Sequence, residues 1–308
     1  GDLGYSVVEP FAQEFPNRFF NIGVAEQNLA GVAAGLASSG KVVFTYSIGN
    51  FPTLRCLEHI RNDICYHQAA VKIVAVGGGM AYGSLGMTHH ATEDLAIMRA
   101  LPGMEVIAPG DPIETTLATR AIVTRPGPCY LRLGKAGEPV VHDEPPPFTV
   151  GKAITLSRGS DVTFVSTGGM LAAAVQAAEQ LGQTGISVGV VSMPTVKPLD
   201  ADCLRAVAKQ CELIVTIEEH NVIGGLGGAV SEVLVGVHGS QVGLKRVGVQ
   251  DRFYEEIGSQ EYLRAQTGLT VEQLVDAAET GLAERRLTNG QPGKPIRKQR
   301  ESATRGKA

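Results

Sequence analysis

The sequence predicts an α/β protein of two domains, each a mainly parallel sheet with helices on both faces. Three observations carry this: apolar β-rich runs alternate with helical segments through both halves, 38 of 308 residues are glycine, and a proline-broken stretch separates the halves. Alternation of strand and helix builds a parallel sheet. A chain of 308 residues exceeds one typical domain and has enough interior for two cores. Pro145-Pro146-Pro147, set among acids, admits neither helix nor strand. The expected division is therefore a first domain over 1–138, a linker over 139–150, a second domain over 151–284 and a basic tail over 285–308.

In the first half the strands are expected at Arg18–Ile22, Lys41–Tyr46, Val71–Val76, Met104–Ala108 and Cys129–Leu133. Helices are expected after Glu26, near Phe51–Tyr66, near Glu93–Ala100 and near Ile113–Val123. The second half places strands at Val162–Ser166, Ser187–Ser192, Leu213–Glu218 and Lys245–Val249. Its helices fall at Leu171–Leu181, Ala201–Lys209, Gly227–Val235 and Val271–Leu282. No period of 20 to 50 residues points to a repeat architecture.

Open parallel sheets bind ligands beyond the carboxyl ends of their strands, and the unusual residues gather there. Glu26 follows the first strand, Tyr46, Asn50 and Phe51 the second, the Gly77–His90 loop the third, and Arg132 ends the last. Glu26 admits two readings from sequence. A carboxylate in the first turn of a helix supports that helix through its dipole, or it is a buried group that holds a proton for a ligand.

Several function classes are set aside. No apolar run reaches the ~18 residues of a membrane span, and five cysteines without a C-x-x-C pair fit a reducing cytoplasm. The net charge of −4 divides unevenly: eight Lys or Arg against Glu301 give residues 285–308 about +7, leaving about −11 on the rest. With no interleaved aromatics, the tail reads as a disordered, solubilising extension, with neither nucleic acid nor membrane as partner. Cys56, His59, Cys65 and His67 lack a recurring zinc spacing, so no metal ligand is assigned. The Gly77–Gly83 and Gly224–Gly228 runs fail the dinucleotide and phosphate-loop patterns. Gly168-Gly169 could present helix N–H groups to an anion or simply allow close packing.

Six ordered motifs then carry a family resemblance: Gly-Val-Ala-Glu-Gln-Asn at 23–28, Thr-Tyr-Ser-Ile-Gly-Asn-Phe at 45–51, and Met-Thr-His-His with Glu-Asp-Leu-Ala at 87–96. Leu-Pro-Gly-Met-Glu-Val-Ile-Ala-Pro-Gly-Asp at 101–111, Tyr-Leu-Arg at 130–132 and Val-Lys-Pro-Leu-Asp at 196–200 complete them. Together they resemble the C-terminal half of transketolase over residues 1 to about 282, and more loosely deoxyxylulose-phosphate synthases and 2-oxoacid dehydrogenase β subunits. The resemblance implies a pyrimidine-binding domain followed by the transketolase C-terminal domain, with thiamine diphosphate as cofactor.

The resemblance also implies roles. Glu26 would hydrogen-bond the aminopyrimidine ring and activate the cofactor, and Phe51 would pack on that ring, though a core Phe is an equal reading. Asp2 would stand at the cofactor pocket. His89 would exchange protons with substrate, and Arg132 with Ser6 would hold the substrate phosphate. The chain departs from the family at Gly77, Leu85-Gly86 and Met87, where transketolases carry a further histidine, an Asp-Gly and a proline, and at Leu54, where a pocket aromatic is common. It also contains no Gly-Asp-Gly, the family's site for the diphosphate metal. A separate N-terminal-half subunit is therefore expected to supply the diphosphate domain with its Mg2+, in a two-plus-two assembly acting on sugar phosphates. Ala30, Gly31, Ala34, Gly35 and Ser38 form a small-residue ridge suited to that interface or to the chain's own sheet. The chain opens at Gly1 inside the expected first domain, so the expectation is either a truncated sequence or a sheet that lacks its opening strand.

Overall fold

The computed structural model describes residues 1, 7–237 and 241–290. The first sheet contains β1 (Val43–Ile48), β2 (Val71–Val76), β3 (Glu105–Ile107) and β4 (Cys129–Leu133). The second half supplies β5 (Ile154–Ser157), β6 (Val162–Ser166), β7 (Val188–Ser192), β8 (Thr195–Lys197), β9 (Leu213–Asn221) and β10 (Gly243–Val249). The sheets run β1-β2-β4-β3-β8 and β10-β9-β6-β7-β5. All pairs are parallel except β3–β8 and β5–β7.

β2 is buried along its whole length. Its run Val-Lys-Ile-Val-Ala-Val suits a central strand covered on both faces. Lys72 is tolerated there because its Nζ donates to the carbonyls of Arg125 and Gly127 at 2.8 and 2.7 Å. One face of this sheet packs on helices Glu26–Ser38 and Asp94–Ala100 and on the helical stretch Ile60–Cys65, through Ala30, Ala34, Ile60, Leu95 and Met98. The other face is covered by helix Pro112–Val123, through Ala118 and Ile122, and by Phe148 and Val150 of the segment between the halves.

β8 departs from a plain division of the halves. It comes from the second half yet closes the first sheet, antiparallel to β3. Pro194 and Pro198 flank it, and an edge strand tolerates the donors they lack. Between Leu133 and Ile154 there is no helix or strand, as three consecutive prolines require.

Three expectations are corrected. Arg18–Ile22 is not a strand: Pro16–Arg18 forms a 3-10 turn, and Phe20 beyond it stands 58% exposed with no sheet partner among the described residues. The expected Phe51–Tyr66 helix breaks into Phe51–Leu54, Leu57–His59 and a π-helical stretch, Ile60–Cys65. The last helix does not stop at Leu282 but runs Val271–Thr288, so Arg285 and Arg286 are helical. Arg286 is held there by Asp161 and Glu212. The rest of the basic tail, from 291, lies outside the described residues. No described helix is long and apolar enough to cross a membrane.

Candidate active site

Both the open site and a closed seam beside it lie at the carboxyl edge of the first sheet. The approach to Glu26 is built locally: Gly23, at φ +71°, makes a turn that a side chain would strain, and its N–H donates to Asn21 Oδ1. Helix Glu26–Ser38 then begins with Glu26, whose carboxylate is buried against Leu29, Ala30, Thr45, Cys56 and Ile60. Its partner is Arg55, with Nη1 3.0 Å from Oε2.

The same guanidinium lies over the Phe51 ring, 4.4 Å from its centroid. Phe51 in turn meets the His89 ring at 5.2 Å, tilted 67°. His89 ends the 3-10 turn Met87–His89, and its Nδ1 lies 3.0 Å from Thr88 Oγ1. That turn is tied to β1 by Asn50, whose Nδ2 donates to the Thr88 carbonyl. Glu26, Phe51 and His89 are thus brought into one connected set, with Arg55 as its centre. Sequence reading missed Arg55; its place four residues after Phe51, one helical turn on, was the available signal.

Burial raises the Cys56 thiol beside Glu26 to about 11, and the negative Glu26 adds to the effect. It stays protonated at neutral pH and offers no nucleophile.

Arg132 sits elsewhere, buried, with its Nε and Nη2 engaged. Its Nε donates to Asp94 Oδ2 at 2.8 Å, and its Nη2 to the carbonyls of Ala91 and Glu219 at 2.8 and 2.9 Å. Tyr130 donates to the same Asp94 oxygen at 2.6 Å. β4 turns this fork inward between the halves, where it borders a small cavity lined also by Gly78, Glu138, Gly169 and Arg264. Lys135, three residues on, is exposed at this end of the strand and lies over the Tyr82 ring.

The glycine loop belongs to the same seam. A Cβ at Gly77 would collide with the Tyr82 ring, and one at Gly79 would meet the Glu219 carboxylate at 2.6 Å. These glycines permit close packing. Glu219 accepts the Met80 N–H at 2.7 Å and is clamped by Gln260 and Arg264. His220 Nε2 accepts the Ala96 N–H, and burial depresses its pKa to about 4. Burial also raises Glu218 to about 7, although it accepts from the Leu226 and Gly227 amides. Glu219 and His220 are therefore the clasp by which the second half holds residues 77–96, and Glu218 caps the second half's own helix beside them.

Gly169 packs close to Glu138, whose carboxyl burial raises, and Gly168 faces the Arg132 guanidinium. Among the described residues one group could chelate a metal, Asp111, Glu114 and His142. Its carboxylate oxygens already meet the N–H groups of Gly110, Glu114, Val141 and His142 and the His142 ring. It fastens the connecting segment to helix Pro112–Val123. In the small-residue ridge, Ala30 and Ala34 pack inward, while Gly31 and Gly35 face open space. Asp2 and Ser6 lie outside the described residues.

The sequence matches the families described as transketolase, pyrimidine binding domain, over residues 3–137, and transketolase, C-terminal domain, over residues 151–274. It is 40% identical over 276 residues to the 6-deoxy-6-sulfo-D-fructose transketolase subunit SqwH of Clostridium sp. (strain MSTE9), covering 90% of this chain and 85% of that one. It is 35% identical over 271 residues to an apulose-4-phosphate transketolase subunit of Actinobacillus succinogenes, covering 88% and 87%. A solved chain described as a split gene transketolase, inactive β4 tetramer, superposes with a TM-score of 0.85 at 42% identity, over 93% of this chain and 91% of that one.

Proposed function

The chain belongs to the transketolase family, and from that premise we propose that it is the C-terminal, pyrimidine-binding subunit of a split transketolase. It would work only when paired with a separate N-terminal-half subunit. One observation carries the reading: a buried carboxylate, Glu26, is linked through Arg55 to the face of Phe51, and through Phe51 to His89, at the ligand edge of the sheet.

Those residues fit the pyrimidine half of thiamine diphosphate and no more. A buried carboxylate in the first turn of a helix can hold a ring nitrogen by a charge-assisted hydrogen bond, and an aromatic face stacks a flat heterocycle. When bound, the cofactor supplies the nucleophilic carbon that takes up and passes on a two-carbon ketol unit. Glu26 orients the pyrimidine and holds the shared proton. His89 is placed to move a proton at the substrate's hydroxyl or carbonyl oxygen. The diphosphate and its Mg2+ are assigned to the partner, because this chain has no Gly-Asp-Gly and its one described chelating group is engaged within the fold. Two copies of each subunit would complete the enzyme, with sugar phosphates as donor and acceptor.

The test is to mix this chain with a transketolase N-terminal-half subunit and titrate thiamine diphosphate with Mg2+. Saturable binding is expected from the pair alone, together with transfer of two carbons from a ketose phosphate to an aldose phosphate. Saturable binding by this chain alone would overturn the split site. Pyruvate consumption without aldose transfer would move the assignment to the deoxyxylulose-phosphate synthase type.

A further inference from the structure

We propose that Arg55 is a resident occupant of the pyrimidine position, covering the Phe51 ring and the Glu26 carboxylate until a flat, N–H-bearing ring displaces it. The inference rests on the reading of Glu26 and Phe51 given above. Arg55 meets both groups at once: its guanidinium carbon lies 4.4 Å from the Phe51 centroid and its Nη1 3.0 Å from Glu26 Oε2. A guanidinium shares with an aminopyrimidine the features these two groups recognise. Both are planar and delocalised, both stack on aromatic faces, and both donate N–H to a carboxylate.

The two targets are fixed and the occupant is not. Glu26 is buried in the first turn of a 13-residue helix, whereas the Arg55 side chain is half exposed. The next residue, Cys56, is buried and pins the backbone, so the guanidinium can leave by turning into solvent with the helix in place. One carboxylate oxygen and one ring face cannot serve two planar donors together. Arg55 therefore competes with the cofactor. Between loadings it also keeps a buried carboxylate paired, which an empty site would leave isolated.

The experiment measures thiamine diphosphate affinity calorimetrically for the reconstituted pair, with Mg2+, in wild type, Arg55→Ala, Arg55→Gln and Arg55→Lys. Removing the competitor is expected to tighten binding about tenfold, the scale of one half-exposed ion pair and one cation–π contact combined. Arg55→Gln, which keeps a similar stem, should tighten binding as Arg55→Ala does, and covers the case in which the alanine chain fails to pair. Arg55→Lys, a cation without the planar fork, should fall between. Added methylguanidinium should weaken binding by Arg55→Ala and leave wild type unchanged, which a purely structural role would not produce. Equal or weaker binding by both Arg55→Ala and Arg55→Gln would overturn the proposal. If the wild-type pair binds no thiamine diphosphate, the assignment of the site itself fails, and this inference with it.

Discussion

Two charged regions flank the same loop of the molecule, and they are built on opposite principles. Around Glu26 there is one ion pair, between a buried carboxylate and a half-exposed arginine, with Val24 and Phe20 open to solvent ahead of it. Around Arg132 the charges are buried: Asp94 holds Arg132 and Tyr130 within the first half, and Glu219 and His220 each have partners on both halves of the chain. The open region holds polar capacity that a ligand can take over. In the closed region that capacity is already used to join the halves, and Arg132, whose motif suggested a ligand contact, belongs to it.

The largest expected effect breaks the open side. Glu26→Ala should lower the kcat of the reconstituted pair by about 10³-fold or more, the upper range for a positioned acid–base group. The chain itself should unfold at nearly its usual denaturant concentration, since the ion pair lost has an exposed partner. Unchanged activity would mark the chain as a non-catalytic regulatory paralogue.

On the closed side the effect should fall on stability. Asp94→Ala leaves the Arg132 guanidinium buried beside an orphaned Tyr130 hydroxyl, and breaking a buried pair typically costs ~3–5 kcal/mol. Urea unfolding measures it. A loss under ~1 kcal/mol would mean that water reaches the seam and that the contrast between the two regions is false.

A pH series sharpens the same contrast. His220 is buried with its pKa near 4, below the usual imidazole value, so between about pH 4 and 6.5 the unfolded chain binds the extra proton. Stability from this group is full above 6.5 and is lost as pH falls toward 4. Glu218, raised to about 7, acts in the opposite sense: its contribution is full below about 4.5 and is lost as pH rises through 7. His220→Gln should therefore flatten the acid side of the stability profile and leave the neutral side with a downward slope. A wild-type profile unchanged by this substitution would show that the imidazole is not held neutral by burial.

The difference between the regions also explains what the sequence disclosed. Strands β2 and β4 were legible to the residue because they are central, mostly apolar runs bounded by turn residues, and Glu26 stood out as a carboxylate three residues after a glycine turn. The clasp was not legible. Glu219 and Met80 lie 139 residues apart, and which half supplies a partner is a tertiary matter. The protein partners of Arg132 were not legible for the same reason: an arginine ending an apolar strand must be paired, but the sequence does not name Asp94. β8 was missed because three residues between prolines carry too little pattern to distinguish an edge strand from a turn.

The smallest effect on the fold tests the rim of the open region. Val24 and Phe20 stand 69% and 58% exposed just ahead of Glu26, an arrangement that burial within the chain does not explain. Val24→Ser should change the stability of the isolated chain by no more than ~0.5 kcal/mol, as an exposed position does. In the presence of the N-terminal-half subunit the same substitution should weaken pairing, read by sedimentation as a higher concentration needed to form the complex. Lost stability with intact pairing would place Val24 in this chain's own packing. The rim of the open region would then be self-contained, like the seam.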